Sequence, residues 1–123
     1  MSMGSQIAAF CKDVSKNKKM WTILFEDDSL LKWENEDGSV VIPIWSTQTR
    51  VEKAISLLVE LENIESSYLP LEIFIDEWAP ELDRSQVRVG PNWSGDNLSG
   101  TTFGALEIIQ RIKRYETEGE SNT

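Results

Sequence analysis

Clustered carboxylates and five indoles hold most of the chemistry this sequence could perform. Asp27 and Asp28, with Glu26 beside them, offer the oxygen atoms that hard cations take. Glu34, Asp76 and Glu77 are nominal partners for acid and base work on a glycosidic bond. Neither chemistry has its spacing. Adjacent side chains on one turn seldom converge on an ion. A calcium loop also needs alternating acidic positions, a central glycine and a distal glutamate, which neither acidic turn supplies. No histidine is present, which removes the commonest general base and a principal metal ligand and leaves Cys11 with nothing to activate it. A glycine-rich phosphate loop, a serine nucleophile elbow and a metal-binding helix motif are all missing. The residues imply no metal, no cofactor and no catalytic group, although a carboxylate-based enzyme stays open as an alternative.

The indoles suit recognition better. Trp33 alternates with Leu31 while Leu30 and Lys32 point the other way, so one of these sets approaches solvent unless both faces are covered. Trp93, between Asn92 and Ser94 at a turn, is expected to be partly exposed, whereas Trp45 and Trp78 are expected in the core. An exposed indole beside carboxylates makes a protein-binding anchor, because aromatic burial supplies affinity while charge supplies orientation and encounter rate. The candidate binding residues are Trp21, Asp27, Asp28, Trp33, Glu34, Glu36, Asp37, Asn92 and Trp93.

Net charge narrows the partners. At −9 the chain repels nucleic-acid backbones and anionic membrane surfaces and attracts a basic protein. The one basic cluster near the N-terminus, Lys12, Lys16, Lys18 and Lys19, sits where cations complement the end of a helix. With 40% hydrophobic and 27% charged residues, neither disorder nor membrane insertion is favoured. Length fits a single domain over 1–123, with residues 6–117 ordered and 118–123 a frayed tail. A lone cysteine, no secretory leader and no run of spanning length point by elimination to the cytoplasm. The sequons at Asn92 and Asn97 then read as turns.

The elements that would position these residues follow from periodicity. Ile7, Phe10, Cys11 and Val14 make the stripe of a first helix, capped by Ser5 and ended by Asn17. Strands are expected at Met20–Phe25, Ser29–Glu34 and Ser39–Trp45, joined by acidic turns, the second carrying the hairpin pair Asp37-Gly38. A helix follows to about Glu62, capped by Ser46 or by Thr49 with Glu52. Leu71, Phe74, Ile75 and Trp78 share a helical face between Pro70 and Pro80. Val87–Trp93 and Leu98–Phe103 read as a hairpin around Ser94-Gly95-Asp96-Asn97, and a last helix runs from Gly104 to about Glu116. The fold class is α+β: an antiparallel sheet of about five strands, a three-stranded meander plus a C-terminal hairpin, with about four helices mainly on one face.

Four blocks, WTILFEDDS, DGSVVIPIWS, LEIFIDEWAPEL and VGPNWSGDNLSG, occur in an order that resembles the small bacterial proteins catalogued as domain of unknown function 2750. The likeness covers about Val14 to Tyr115. It implies a helix over Leu71–Trp78 and carries no catalytic residues. Ala79 and Glu81 stand where the family has a larger apolar residue and a glycine, and Pro91 interrupts the closing strand.

Size, charge and missing machinery together imply a non-catalytic cytosolic protein-binding domain, such as an immunity-type inhibitor of a basic toxin. One alternative is a small-ligand module with a pocket of Trp21, Trp33, Trp93, Asp28 and Asn92. The other is an assembly subunit. Oligomeric state is not legible.

Overall fold

Helix α1 (Met3–Asn17) forms on the apolar stripe: Phe10, Cys11 and Val14 are fully buried. It starts ahead of Ser5, which lies inside the helix and does not cap it. It stops where Lys18 turns left-handed (φ 61°) and donates its N–H to the Val14 carbonyl at 2.8 Å. The structure, a computed structural model, describes residues 3–94 and 100–121, with side chains described over 6–94 and 100–116.

After α1 come β1 (Lys19–Leu24), β2 (Trp33–Glu34), β3 (Val40–Ile44), α2 (Gln48–Leu57) and β4 (Glu65–Pro70). A helical segment over 71–85 consists of α3 (Leu71–Ile73), a π-helical turn (Phe74–Trp78) and α4 (Ala79–Ser85). Strands β5 (Arg88–Pro91) and β6 (Phe103–Gly104) and helix α5 (Ala105–Ser121) follow. The class is α+β with four helical segments among the described residues, but the single five-stranded antiparallel sheet is replaced by two sheets. One is the antiparallel pair β1–β4. The other has the order β2-β3-β5-β6, in which β3 and β5 run parallel from Val41↔Arg88 to Ile44↔Pro91.

Two features of the residues explain the difference. In β3 the run Val41-Ile42-Pro43-Ile44 is buried at every position, the mark of a central strand covered on both faces, and such a strand needs a second neighbour. The chain supplies β5 after a crossover through residues 45–87. Strand β4, Glu-Ser-Ser-Tyr-Leu-Pro, has almost no β-propensity of its own and forms because β1 offers it a full ladder, Lys19↔Pro70 through Leu24↔Glu65. With β1 engaged there, the expected middle strand of the meander keeps only a Leu24↔Leu30 bridge and the two-residue β2.

The sheets join at tryptophans. Trp21 and Trp45 exchange both backbone hydrogen bonds, at 2.7 and 2.9 Å. Because polar groups two residues apart in a strand point to the same side, Pro43 faces the Trp45 edge. The partner strand β2 has already ended there, so the missing proline N–H leaves no ladder bond unmade.

The helices seal the core. Thr47, not Ser46 or Thr49, caps α2, accepting from Arg50 N–H at 3.2 Å. The helix ends at Leu57, before the expected Glu62, where Leu58 leaves helical geometry (φ −93°, ψ 56°). Helix α5 buries Ala105, Ile108, Ile109 and Ile112 against α1, and Lys18 pairs with Glu116 across them. It continues to Ser121, through most of the segment expected to fray, while residues 122–123 lie outside the described ones. The expected turn and the start of the return strand likewise fall on the undescribed residues 95–99; its end survives as β6, antiparallel to β5.

Both acidic turns are built alike. In Phe25–Ser29 the Asp28 N–H donates to Phe25 O and Phe25 N–H to Ser29 O; in Asn35–Ser39 the same bonds run from Gly38 to Asn35 and from Asn35 to Ser39. The fourth residue is left-handed in each, Asp28 at φ 67° and Gly38 at φ 87°. Asp27 Oδ1 accepts from the Ser29 hydroxyl (2.6 Å) and N–H (3.0 Å), and Asp37 Oδ1 from Ser39 in the same way (2.6 and 2.9 Å). Those hydroxyls, then the amides, hold both carboxyls below the ordinary 3.8.

Asp28→Gly relieves the left-handed strain and is expected to raise the urea midpoint, by about 0.5–1 kcal/mol at unchanged m-value. The lowered carboxyl values set a pH window. Folded values below unfolded ones contribute stability that is fully present above the unfolded value and is lost as pH falls through the folded one, from roughly pH 4 downward. A chain carrying Asp27→Asn and Asp37→Asn keeps the oxygen acceptors without the titration, so its acid unfolding curve should be shallower there.

Candidate binding site

The 71–85 segment presents an indole to solvent through a proline. In a regular α-helix the Pro80 ring would collide with the carbonyl four residues back. The chain avoids this with a π turn, in which Ala79 N–H reaches back five residues to Phe74 O. A π turn advances the helical phase less per residue than an α turn, so Trp78 swings off the face shared by the buried Leu71 and Phe74. The expectation of a core Trp78 is thereby corrected: the indole is half-buried, 6.4 Å from the Phe74 ring.

Trp78 forms one wall of a groove of about 590 Å³ between this helix and the sheet. Leu30, Ile42 and Leu82 make its apolar floor, and Ser29, Lys32, Glu77 and Glu81 its lips. The segment carries Glu72, Asp76, Glu77, Glu81 and Asp83 against one cation, Arg84, which pairs with Glu81 at 2.9 Å. The helix beside the groove is thus strongly negative, with Glu77 and Glu81 on the lip along with Lys32. The acidic turn at Asp27 and Asp28 adjoins it through Ser29.

A second constellation lies where β3, β5 and α1 meet. Asn92 is 1% exposed and left-handed (φ 52°). Its Oδ1 accepts from Ser46 N–H at 2.9 Å, and its Nδ2 donates to Ser46 Oγ at 3.1 Å and to Gln6 O at 3.5 Å. Gln6 Nε2 donates to Asn92 O (3.1 Å) and to Ser94 Oγ (2.6 Å), and Ser46 Oγ donates to Asp13 (2.9 Å). Trp45 donates its indole N–H to Trp93 O at 2.9 Å, and Trp93 donates its own to Thr101 O at 3.1 Å. A Cβ on Gly90 would lie 2.3 Å from the Trp93 ring and one on Gly100 2.7 Å from it, so both glycines exist to admit that indole.

Residues 7–112 match the family described as a protein of unknown function, DUF2750. The chain belongs to this family. No curated protein matches it. Among solved structures it is similar to Anabaena Tic22, a protein-transport protein, at 13% identity and a TM-score of 0.43 over 74% of this chain and 46% of that one, so the chain spans less than half of that protein's length.

In this DUF2750 member the described residues around Trp93 thus form a packing device. Trp93, expected at the surface, is 7% exposed because the glycine-lined slot encloses it. Asn92 has its amide committed inside, which closes the first sequon; the second falls on undescribed residues. Trp33 is half-buried and meets Trp93 edge-on, ring centres 6.1 Å apart. Trp21 is half-buried too but packs against Tyr68, at 6.0 Å, beneath Lys19. Asp27 and Asp37 are held in their own turns, while Asp28, Glu34 and Glu36 stand exposed. The expected pocket is therefore not assembled as a unit: Asn92 and Trp93 share a cleft with Trp45, and neither Trp21 nor Asp28 lines it. Among the described residues no group of three or more His, Cys, Asp or Glu side chains could hold a metal ion. Cys11 is buried, and burial raises its thiol to about 11, partly offset by Arg111, so it stays protonated.

Ser29, Leu30 and Lys32 with Trp78 form the groove that sequence reasoning missed. Its only advance signal was Pro80, one turn past an otherwise regular apolar stripe.

Asn92→Ala is expected to cost about 3 kcal/mol and Asn92→Gly about 2. Both lose the buried amide, and only alanine adds left-handed strain; urea denaturation followed by tryptophan fluorescence measures each.

Proposed function

We propose that this chain is a non-catalytic cytosolic binding domain whose acidic groove takes a basic segment of a partner protein. The carrying observation is the half-open Trp78 over an apolar floor, on a helix bearing five carboxylates and a single arginine. An apolar trough alone would accept many occupants. Negative charge along its helical lip selects a cationic one, since an acidic or neutral segment gains nothing there and a nucleic-acid backbone is repelled. Trp78 fits the role of anchor because burying the exposed part of an indole is the largest single apolar gain available at this surface. The concrete biological form we favour is an immunity-type inhibitor that masks a basic toxin, such as a nuclease, by presenting carboxylates where phosphates would otherwise dock. Small size, a net charge of −9 and the lack of histidine support that form.

Titration of a labelled lysine-rich amphipathic peptide, followed by anisotropy, tests the groove. Saturable binding is expected, weakened roughly thirtyfold by Trp78→Ala, about 2 kcal/mol, and further by Glu77→Lys, with affinity falling as salt rises. Binding that is unsaturable, or indifferent to both substitutions, overturns the reading. Saturable inhibition of a cationic nuclease would support the immunity-type form; peptide binding without any such inhibition would leave the binding domain and remove the toxin.

A further inference from the structure

The cleft beside helix α2 has the opposite electrical character from the rest of the molecule. It measures about 200 Å³ and is walled by Trp45, Trp93, Ala54 and Leu57, with Arg50 and Lys53 over its mouth. The polar groups at its back are already engaged: both indole N–H groups donate to carbonyls, the Asn92 amide holds Ser46, and Ser94 Oγ accepts from Gln6. Among the described side chains lining the cleft, free donor capacity therefore resides in the two cations and the Ser94 O–H. Arg84 and Arg111 pair with carboxylates and Arg88 donates to Thr102, yet among the described residues neither the Arg50 nor the Lys53 side chain has a hydrogen bond or ion pair.

The placement of Arg50 is costly. Arg50 stands in the first turn of α2, which contains no acidic residue, so a cation faces the positive end of the helix dipole where a carboxylate would be favoured. In a chain with 21 acidic and 12 basic side chains, this arrangement loses helix stability with no compensating partner among the described residues. A local choice that opposes the fold's own preferences marks a position kept for another purpose. A bound anion would supply the missing negative charge, meeting two positive side chains while its apolar body meets the indole walls.

We propose that this cleft binds a small organic anion: one carboxylate or phosphate group held by Arg50 and Lys53, on a compact apolar ring lodged against Trp45 and Trp93. The volume excludes a nucleotide or a peptide side of the groove type, and the site is separate from the Trp78 groove, so either can stand without the other.

The test uses the full chain and four probes: benzoate, phenyl phosphate, the neutral isostere benzamide, and inorganic phosphate. Indole N–H resonances of Trp45 and Trp93 are followed by NMR. Benzoate or phenyl phosphate should shift them saturably with a Kd on the order of 1 mM or tighter. Whichever of the two binds more tightly assigns the head group. Arg50→Gln with Lys53→Gln should weaken that binding at least tenfold and leave the urea midpoint unchanged or raised, since both sites are at the surface; Lys53→Gln alone gives a second reading if the double variant folds poorly. Three results overturn the proposal: no saturable shift from either anion up to about 20 mM, benzamide binding as tightly as benzoate, or inorganic phosphate binding as tightly as phenyl phosphate.

Discussion

One buried amide ties this molecule together. Asn92 joins the end of β5 to the end of β3 through Ser46, to α1 through Gln6, and, by its own N–H to Ile44 O, extends the parallel ladder at 2.8 Å. A polar group at 1% exposure is tolerable only when every donor and acceptor is met, because an unmet one costs its full desolvation. Here each is met, and among the described residues no buried side-chain nitrogen or oxygen is left without a partner. The arrangement also specifies register. Slide β5 by one residue and the amide, the left-handed backbone and the Trp93 slot all miss together. Two apolar clusters, one around α1 and α5 and one around Trp45 and α2, are thereby locked into one object at the place where neither cluster is thick.

What could be read in the sequence was local. The stripe of α1, the Asp37-Gly38 hairpin and the helical face from Leu71 to Phe74 depend on neighbours a few residues away, the β5–β6 pairing on partners about fifteen away, and the structure has them. Pairings that depend on distant partners were not legible. Strand β4 carries no apolar alternation and exists through β1; β3 and β5 are parallel through a crossover that no short-range rule reports. For β3 a clue was present, since four consecutive buried positions do not suit a sheet with an open face.

The candidate residues divide along the same line. Asn92 and Trp93 looked like surface recognition groups because asparagine, serine and glycine around an indole compose a turn. Asn92 does lie at a turn, but Gly90 and Gly100 make a slot for the indole, and a side chain so enclosed is structure. Asp27 and Asp37 looked like free charge, and each is instead the acceptor that closes its own reversal. Their duplication across two turns of identical bonding shows that the acidic loops answer a folding requirement first. Of the carboxylates of residues 71–85, Glu77 and Glu81 are set beside an open apolar surface, Glu81 already engaged by Arg84 and Ser85.

That coincidence has a mechanical cause. Pro80 cannot sit in a regular helix at this position, and the π turn that accommodates it costs an α-helical hydrogen bond. Replacing the proline would allow a continuous α-helix, return Trp78 to the buried face and close the groove's wall. Stability alone therefore argues against the proline, and the family block in which it stands, with Trp78 two residues before it, couples the irregularity to the indole it exposes. The backbone irregularity and the half-open aromatic thus fall in the same five residues, Phe74–Trp78.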